Sequence, residues 1–303
     1  MKRARVRVPA TTSNLGPAFD AAGLALSLYN ELTLEFHEGS GDPVIEIEGE
    51  GAGTLPRTND NAVYKAAQAV LAGRSCRLVL KCINRIPLAR GLGSSAAAAV
   101  AGLLAANAVL GDEGLSREQL LEYAATLEGH PDNAAPALMG GLVGCVRSKQ
   151  KPLAFSLAPH PDLRAVVCIP SFELSTAAAR SVLPKTYLRE DAVDNVARAY
   201  LLGSALEQGH WSRLALAMED RFHQPYRSPL VKGLSAVIKA AQQAGACGAA
   251  LSGAGPSVVA LGPAGPDLDH VAEAMRAAFA EHGVESKSLV LTVAKGAEVL
   301  ECS

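Results

Sequence analysis

The feature that most constrains this sequence is a glycine–serine loop, residues 91–95, which joins a strand pattern to a helix pattern rich in small residues. Residues 77–86 alternate as a strand does, Pro87 ends them, and the loop reads Gly-Leu-Gly-Ser-Ser before a run of alanines. Two glycines separated by one residue admit backbone conformations that other residues rarely adopt. Ser94 or Ser95 can cap the following helix, and bare alanines leave its first N–H groups accessible. Such a helix N-terminus binds anions, most commonly polyphosphate.

Two well-known phosphate loops do not fit the glycine–serine loop. No Gly-Lys-Ser/Thr follows the glycines, so it is not a Walker A loop. The third glycine of the dinucleotide-binding fingerprint is missing as well. On these residues alone, an ordinary strand-to-helix turn with a serine cap stays open as the alternative.

Length and composition bound the possible functions. The 303 residues exceed the usual size of one domain, so we expect two. The net charge of −2, with Lys and Arg scattered, gives no electrostatic footprint for nucleic acid or anionic lipid. We expect no signal peptide, and no segment of the roughly 18 apolar residues that a membrane span needs. Six cysteines form no Cys-x-x-Cys pair, so we expect small buried side chains in a reducing cytoplasm.

The hydrophobic period changes along the chain, which predicts an α+β protein in two layers and not a doubly wound sheet. A capping box is present at residues 116–119, and Pro9 is expected to end the first strand. The boundary between the two expected domains is predicted near Ala158, which gives domains of residues 1–158 and 159–303. Strands are predicted at 3–8, 32–36, 44–48, 77–86, 142–147, 153–157, 163–169, 249–261 (two strands and a turn) and 288–293. Helices are predicted at 61–71, 95–110, 116–127, 175–183, 192–207, 212–222, 230–244 and 268–282.

Three blocks of the sequence resemble the motifs of the GHMP kinases, and along the chain they occur in the same order as in that family. Residues 87–97 read Pro-x-x-x-Gly-Leu-Gly-Ser-Ser-Ala-Ala, as the phosphate loop of that family does. Residues 9–20, here called the first motif, resemble the homoserine kinases within the family, although Ala18 stands where glycine is usual. Residues 251–257, the third motif, read Leu-Ser-Gly-Ala-Gly-Pro-Ser and resemble the glycine-rich motif of the whole group. The resemblance spans essentially the full chain.

The resemblance implies a two-domain fold, in which an α+β nucleotide-binding half precedes a ferredoxin-like half and the site lies in the cleft between them. It further implies an ATP-dependent kinase that uses Mg²⁺, held by Ser95 and Glu122. A helical glutamate is commonly a solvated surface residue, and Glu128 is a weaker rival for the metal. The residues implied for ATP are Pro87, Arg90, Gly91, Leu92, Gly93, Ser94, Ser95, Ala96 and Ala97.

On the substrate side, the resemblance implies recognition of L-homoserine, a step of threonine biosynthesis. Asp20 would take the ammonium group, while Arg180 and Arg227 would bind the carboxylate, for which the guanidinium fork is well shaped. Thr176 lies one helical turn before Arg180 and hence on the same face. Taken alone, an asparagine or aspartate near a turn is commonly a capping residue, and an isolated arginine a surface charge.

The catalytic residues implied are Asn14, Asn133 and Arg180. Asn133 belongs to a His-x-Asp-Asn block at residues 130–133, and the two asparagines would aim the hydroxyl at the γ-phosphorus. We expect no dedicated base, although Asp132 is the nearest candidate.

Other functions stay open on the sequence. The alternatives are a GHMP kinase acting on mevalonate, shikimate or a sugar, a non-catalytic sensor of the same fold, and an RNA-binding module, against which the charge balance argues. Members of the family are often dimers, so a homodimer is possible.

Overall fold

Two sheets organise the chain in the computed structural model, which describes residues 1–71, 73–146, 151–265 and 267–303. The first sheet has the order β11-β1-β2-β4-β3, and β5 pairs with both β2 and β6. The pair β3–β4 is parallel and the other pairs are antiparallel. Its strands are β1 (Lys2–Asn14), β2 (Ala18–Glu38), β3 (Val44–Gly49), β4 (Cys76–Asn84), β5 (Leu142–Val146), β6 (Leu153–Leu157) and β11 (Glu298–Cys302). Position 147, the last residue of a predicted strand, lies outside the described residues.

The second sheet is antiparallel throughout, with the order β10-β7-β9-β8. Its strands are β7 (Leu163–Pro170), β8 (Gly248–Leu251), β9 (Val258–Pro263) and β10 (Ser286–Thr292). The first strand of the group therefore lies between the fourth and the third, which is the ferredoxin-like arrangement. The α+β fold class is confirmed. The boundary near Ala158 stays a prediction, and β11 returns to pair with β1 in the first sheet.

In chain order the helices are α1 (Ala62–Leu71), α2 (Ser94–Leu110), α3 (Arg117–Glu128), α4 (Pro131–Met139), α5 (Thr176–Ser181), α6 (Arg189–Gln208), α7 (Leu214–Ala217), α8 (Gln224–Arg227), α9 (Leu234–Gln243) and α10 (Leu268–Glu281). Helices α1, α3 and α4 contact α2, whereas α9 and α10 pack on the second sheet. Short 3-10 turns occur at Gly111–Glu113, Trp211–Arg213 and Ser228–Leu230. The predicted capping box at Ser116 is confirmed, and Gly129 ends α3 in the left-handed conformation.

Helix α2 is the central helix of the first half. It contacts β1, β2, α1, α3 and α4, and ten of its residues are buried, six of them alanine. Contrary to our expectation, the segment Ser94–Glu113 is long and apolar enough to cross a membrane, but 56% of its most apolar window is buried inside the protein. Core packing accounts for its composition, and this packing holds the glycine–serine loop at its N-terminus in place.

Two sequence-based expectations about secondary structure were wrong. Pro9 does not end the first strand, because the β1–β2 register shifts between Pro9 and Ala10. A bulge of this kind accommodates a residue without an N–H group. The helix predicted at 212–222 is reduced to a 3-10 turn and the four residues of α7. Beyond it, the Asp220 carboxylate accepts three backbone N–H groups, an alternative to helical hydrogen bonding.

The cysteines follow the prediction only in part. Four of the six free thiols are buried, and burial raises the pKa of Cys82 to about 11. Cys247 is half-buried and Cys302 is exposed, contrary to the expectation of burial. Cys302 is exposed because it ends β11, at the outer edge of the first sheet.

Candidate active site

A polar cleft of about 260 Å³ lies where the glycine–serine loop, the first motif, α5 and the third motif meet. All six residues predicted to bind the substrate line it: Asn14, Asp20, Asn133, Thr176, Arg180 and Arg227. Of the residues predicted for ATP, the stretch from Arg90 to Ser95 lines it as well. Pro87 does not reach this cleft, and Ala96 and Ala97 are fully buried behind the loop.

Both glycines of the loop are required by close approaches. Gly91 has φ 72° and Gly93 has φ 67°, in the left-handed region that disfavours other residues. A Cβ on Gly91 would lie 2.1 Å from the Ser252 carbonyl oxygen, and one on Gly93 would lie 1.9 Å from Thr11 Oγ1. The loop is thus clamped between the first and third motifs.

The N-terminus of α2 carries no side-chain cap. The N-cap residue, which precedes the helix, is Gly93. Ser94 and Ser95 are therefore the first two helical residues and neither caps the helix, contrary to our expectation. The first N–H groups of the helix therefore stay available to an anion, and the serine hydroxyls are free for other partners.

One of these hydroxyls contacts a carboxylate. Ser95 Oγ donates to Glu128 Oε1 over 2.6 Å, and burial raises the pKa of Glu128. Glu122 does not line the cleft, and its Oε1 lies 2.7 Å from Lys151 Nζ. The structure therefore brings the rival carboxylate to the loop and not Glu122. Hydroxyl and carboxylate oxygens are ligands that suit Mg²⁺. The Ser95 hydroxyl and the Glu128 carboxylate beside it therefore fit such an ion.

A bidentate ion pair spans the substrate side of the cleft. Arg180 donates to both carboxylate oxygens of Asp20, over 2.6 and 3.0 Å. This hydrogen bonding raises the pKa of Arg180. The Arg180 guanidinium also lies 5.5 Å from the centre of the Phe19 ring.

Arg227 is a buried cation that faces the same cleft. It is 1% exposed, and it donates to the carbonyl oxygens of Ala179 and Gly253. Burial and the neighbouring Arg180 lower its pKa to about 10. Among the residues that the structure describes, no carboxylate forms an ion pair with Arg227. A buried cation without an anionic partner is an incomplete site for an anion.

His223 contacts Arg227, and the sequence did not predict it as a site residue. Its Nε2 lies 2.8 Å from the Gly16 carbonyl, while its Nδ1 lies 3.2 Å from Arg227 Nη1. Because the carbonyl only accepts and the guanidinium only donates, the ring is neutral with its proton on Nε2. Burial agrees with this, since it lowers the pKa of His223 to about 4. The ring also stacks on Phe19, 5.3 Å away.

Asn14 and Asn133 are both held by protein groups. Asn14 donates to the Gly253 carbonyl and accepts the N–H of Asp20, in a left-handed conformation with φ 69°. Asn133 accepts from Thr11 Oγ1 over 2.8 Å and donates to Ser13 Oγ over 2.9 Å. The two asparagines therefore have fixed orientations. The hydroxyls that orient Asn133 belong to the first motif but were not predicted as site residues.

Helix α4, which the sequence did not predict, places the His-x-Asp-Asn block. His130 precedes the helix, and its Nδ1 lies 2.5 Å from Asp132 Oδ1. This hydrogen bond raises the pKa of His130. Asp132 is 2% exposed and lies beside Asn133 on the same helix.

Arg90 links the two halves of the chain. Its guanidinium donates to the carbonyl oxygens of Leu88, Pro170 and Ser171. Arg90, which was predicted to bind ATP, therefore fixes the position of the glycine–serine loop relative to the end of β7.

Comparison with known proteins agrees with this architecture. The family model for the GHMP kinases N terminal domain matches residues 61–141, and that for the GHMP kinases C terminal matches residues 202–281. The homoserine kinase of Moorella thermoacetica is 48% identical over 92% of this chain and 94% of its own length. That of a Synechococcus strain is 44% identical over 99% and 98%.

Solved structures show the same likeness. The homoserine kinase from Cytophaga hutchinsonii superposes with a TM-score of 0.89 at 32% identity, and the match covers 98% of this chain and 97% of that one. The mevalonate kinase of L. major, solved with R-mevalonate, superposes with a TM-score of 0.73 at 20% identity over 95% of both chains. At that identity the second likeness concerns the fold alone.

Proposed function

The chain belongs to the GHMP kinase family, and on that premise we propose that it transfers the γ-phosphoryl group of ATP to the side-chain hydroxyl of L-homoserine. The observation that carries the proposal is the buried Arg227, a cation without an ion-pair partner among the described residues, beside the Asp20–Arg180 pair. An amino acid offers a carboxylate and an ammonium group to these charges, whereas mevalonate, shikimate and galactose have no ammonium. The relatives named homoserine kinase support the same substrate.

The substrate carboxylate binds Arg227 and the free edge of Arg180, and the ammonium group binds Asp20. These contacts replace part of the ion pair that Asp20 and Arg180 form with each other. Thr176 contributes its hydroxyl from the first turn of α5. Asn14 and Asn133, each held by two hydrogen bonds, orient the hydroxyl that reacts.

The phosphates of ATP lie against the glycine–serine loop and the N-terminus of α2, whose N–H groups and dipole favour negative charge. Ser95 and a carboxylate, either Glu128 beside it or Glu122 once released from Lys151, would hold Mg²⁺. When bound, the ion neutralises charge on the phosphate oxygens. Arg90 keeps the loop fixed to the second half of the chain.

In the reaction, the hydroxyl oxygen forms a bond to the γ-phosphorus, and the bond to the β,γ-bridging oxygen breaks with its electrons left on ADP. The hydroxyl proton passes to the transferred phosphoryl group or to water, because no dedicated base is assigned. Asp132 already bonds His130, which leaves it a positioning role. Holding the reactants in line supplies up to roughly 7–11 kcal/mol of the barrier reduction.

The test is a coupled ADP-release assay with Mg-ATP. L-Homoserine is offered beside L-serine, L-threonine, mevalonate, shikimate and galactose. Turnover with homoserine alone supports the proposal. Turnover with a substrate that lacks the amino-acid group would retain the kinase and overturn the substrate. ATP binding without any turnover would instead favour a sensor of the same fold.

Replacing Asp132 with Asn probes the role of a base. A loss of more than about 10³ in kcat, with the fold intact, would make Asp132 the base, since proton transfer contributes roughly 10²–10⁴.

We also propose that the enzyme acts in the cytoplasm and catalyses a step of threonine biosynthesis. The boundary between its two domains is proposed to lie near Ala158.

A further inference from the structure

His223 lies next to the cleft without forming part of its wall. The side chain is 0% exposed and does not line the cleft, whereas its neighbour Arg227 does. Buried polar side chains are almost always hydrogen-bonded. Any contribution of His223 to the reaction therefore passes through the groups that it bonds.

One short helical turn presents the His223 ring to Arg227. His223 precedes α8 and Arg227 ends it, and the Arg227 backbone N–H donates to the His223 carbonyl. Residues four apart lie on the same face of a helix. The Asp220 carboxylate accepts the N–H groups of residues 222–224 and fixes the start of the turn. The two side chains are thus held side by side.

The His223 ring acts on Arg227 as a neutral acceptor. Its Nε2 lies 2.8 Å from the Gly16 carbonyl, which only accepts, so the ring proton lies on Nε2. The lone pair of Nδ1 then faces Arg227 Nη1, 3.2 Å away. A carboxylate in this place would neutralise the guanidinium. A neutral imidazole bonds it and leaves its positive charge for a ligand.

The hydrogen bonds of Arg227 leave one nitrogen for the cleft. Its Nε donates to the Ala179 carbonyl, and Nη1, which carries two protons, donates to the Gly253 carbonyl and to His223. Among the residues that the structure describes, no acceptor bonds Nη2. Because the guanidinium is planar, these three bonds fix its orientation. They present Nη2 to a ligand.

The same ring joins Arg227 to the ammonium side of the cleft. Gly16, whose carbonyl accepts from His223, belongs to the first motif and precedes Asp20 by four residues. The Phe19 ring stacks on His223 at 5.3 Å, and the Arg227 guanidinium carbon also lies 5.3 Å from its centre. His223 therefore helps to set the position of Arg227 relative to Asp20.

We propose that His223 is a positioning residue for the reaction, which aims Arg227 Nη2 at the substrate carboxylate. This inference rests on the proposed function, because the amino-acid substrate brings that carboxylate to Arg227. His223 itself touches neither substrate nor ATP. Its loss should raise the KM of a substrate that carries a carboxylate and leave the KM of ATP unchanged.

Two variants of similar shape isolate the hydrogen bond to Arg227. His223→Asn keeps an oxygen acceptor at the place of Nδ1, whereas His223→Leu puts a methyl group there, and both lose the bond to Gly16. We expect the KM for homoserine to be about tenfold higher in His223→Leu than in His223→Asn, because the lost bond involves a charged donor. The kcat values of the two variants should agree within about twofold.

The matched substrate is 3-aminopropan-1-ol, which lacks the carboxylate. Its kcat/KM should be the same in His223→Leu and His223→Asn, and thermal melting should show that both variants are folded. Equal KM values for homoserine in the two variants would overturn the proposal. An excess loss in His223→Leu that is equally large with 3-aminopropan-1-ol would assign His223 a structural role only and overturn it too.

A measurement without substrate separates this proposal from the proposed function. In protein labelled with nitrogen-15 arginine, the NMR signals that disappear in Arg227→Met belong to Arg227. We expect two resolved Nη1 protons in wild type and in His223→Asn, because hydrogen bonds slow rotation about the Cζ–Nη1 bond, and averaged signals in His223→Leu. Unchanged signals in His223→Leu would overturn the positioning role.

Averaged Nη1 signals in the wild-type chain would overturn the positioning role as well, and this outcome depends on neither His223 variant. A wild-type chain that does not turn over homoserine would instead overturn the proposed function. The NMR comparison then still decides whether His223 orients Arg227.

Discussion

Arg180 of α5 and Asp20 of β2 form a bidentate ion pair across the cleft, with N–O distances of 2.6 and 3.0 Å. The two residues are 160 positions apart, so the pair joins the first motif to the second half of the chain. Their side chains remain 35% and 17% exposed, which leaves both within reach of a ligand. Asp20 and Arg180 thus balance each other's charge until a zwitterion brings an ammonium group and a carboxylate to the cleft.

Replacing Asp20 with Asn removes the receptor for the ammonium group. We expect the KM for homoserine to rise about 10²-fold while the KM for ATP changes little, since a charge-assisted hydrogen bond contributes roughly 1.5–3 kcal/mol. The matched substrate is 4-hydroxybutanoate, which lacks the amine. Its kcat/KM should be insensitive to Asp20→Asn, and an equal loss for both substrates would exclude the ammonium role.

Arg227→Met retains the aliphatic stem and removes the buried charge. Truncating one partner of a buried charge pair costs roughly 2–5 kcal/mol, so we expect kcat/KM for homoserine to fall at least about 30-fold. The analogue 3-aminopropan-1-ol lacks the carboxylate and should lose little. Thermal melting must accompany the kinetics, because Arg227 also bonds the Ala179 and Gly253 carbonyls. A loss of the same size with 3-aminopropan-1-ol would assign Arg227 to structure and not to the substrate.

Gly93→Ala is expected to abolish ATP binding. Its Cβ would meet Thr11 Oγ1 at 1.9 Å, and φ is +67°, so the loop must move or the Thr11–Asn133 hydrogen bond must break. Isothermal titration with an ATP analogue measures the effect. Gly53→Ala is the control, because a Cβ there meets nothing within 4 Å. Unchanged affinity in Gly93→Ala would show that the loop tolerates a side chain.

The sequence predicted the fold class and the residues of the cleft because motifs and hydrophobic periods are local signals. Ser116 and Gln119 predict the start of a helix within four residues, and the five residues of the glycine–serine loop predict a phosphate site. The elements that the sequence did not predict depend on long-range contacts. Helix α4 contains Pro136, and β11 exists because it pairs with β1, almost three hundred residues away.

The roles within the site illustrate the same limit. The family resemblance placed Arg180 and Arg227 in one set but could not tell that Arg180 pairs with Asp20 while Arg227 is buried without a carboxylate among the described residues. Nor could the sequence decide whether Glu122 or Glu128 is the metal ligand. Their distances to Ser95 depend on how α3 packs against α2, which is tertiary information.

Glu128→Gln and Glu122→Gln separate the two candidates for the metal. If Glu128 beside Ser95 holds Mg²⁺, its replacement should raise the Mg²⁺ concentration needed for half-maximal activity at least about tenfold, and Glu122→Gln should have little effect. Burial raises the pKa of Glu128. Protons should therefore compete with the metal at a higher pH than for an ordinary carboxylate, a dependence that Glu128→Gln removes. The reverse ranking of the two variants would assign the metal to Glu122.

The His130–Asp132 contact should make stability depend on pH. The hydrogen bond to Asp132 raises the pKa of His130 above its ordinary value of 6.5, so the folded state binds the proton more tightly than the unfolded state does. This contribution is fully present below pH 6.5 and is lost as the pH rises through the higher folded pKa. Urea unfolding of wild type and Asp132→Asn should therefore give a stability difference that shrinks with rising pH. In a His130→Gln background the same substitution should give a difference independent of pH. A wild-type difference that stays flat would mean that His130 is neutral in this contact.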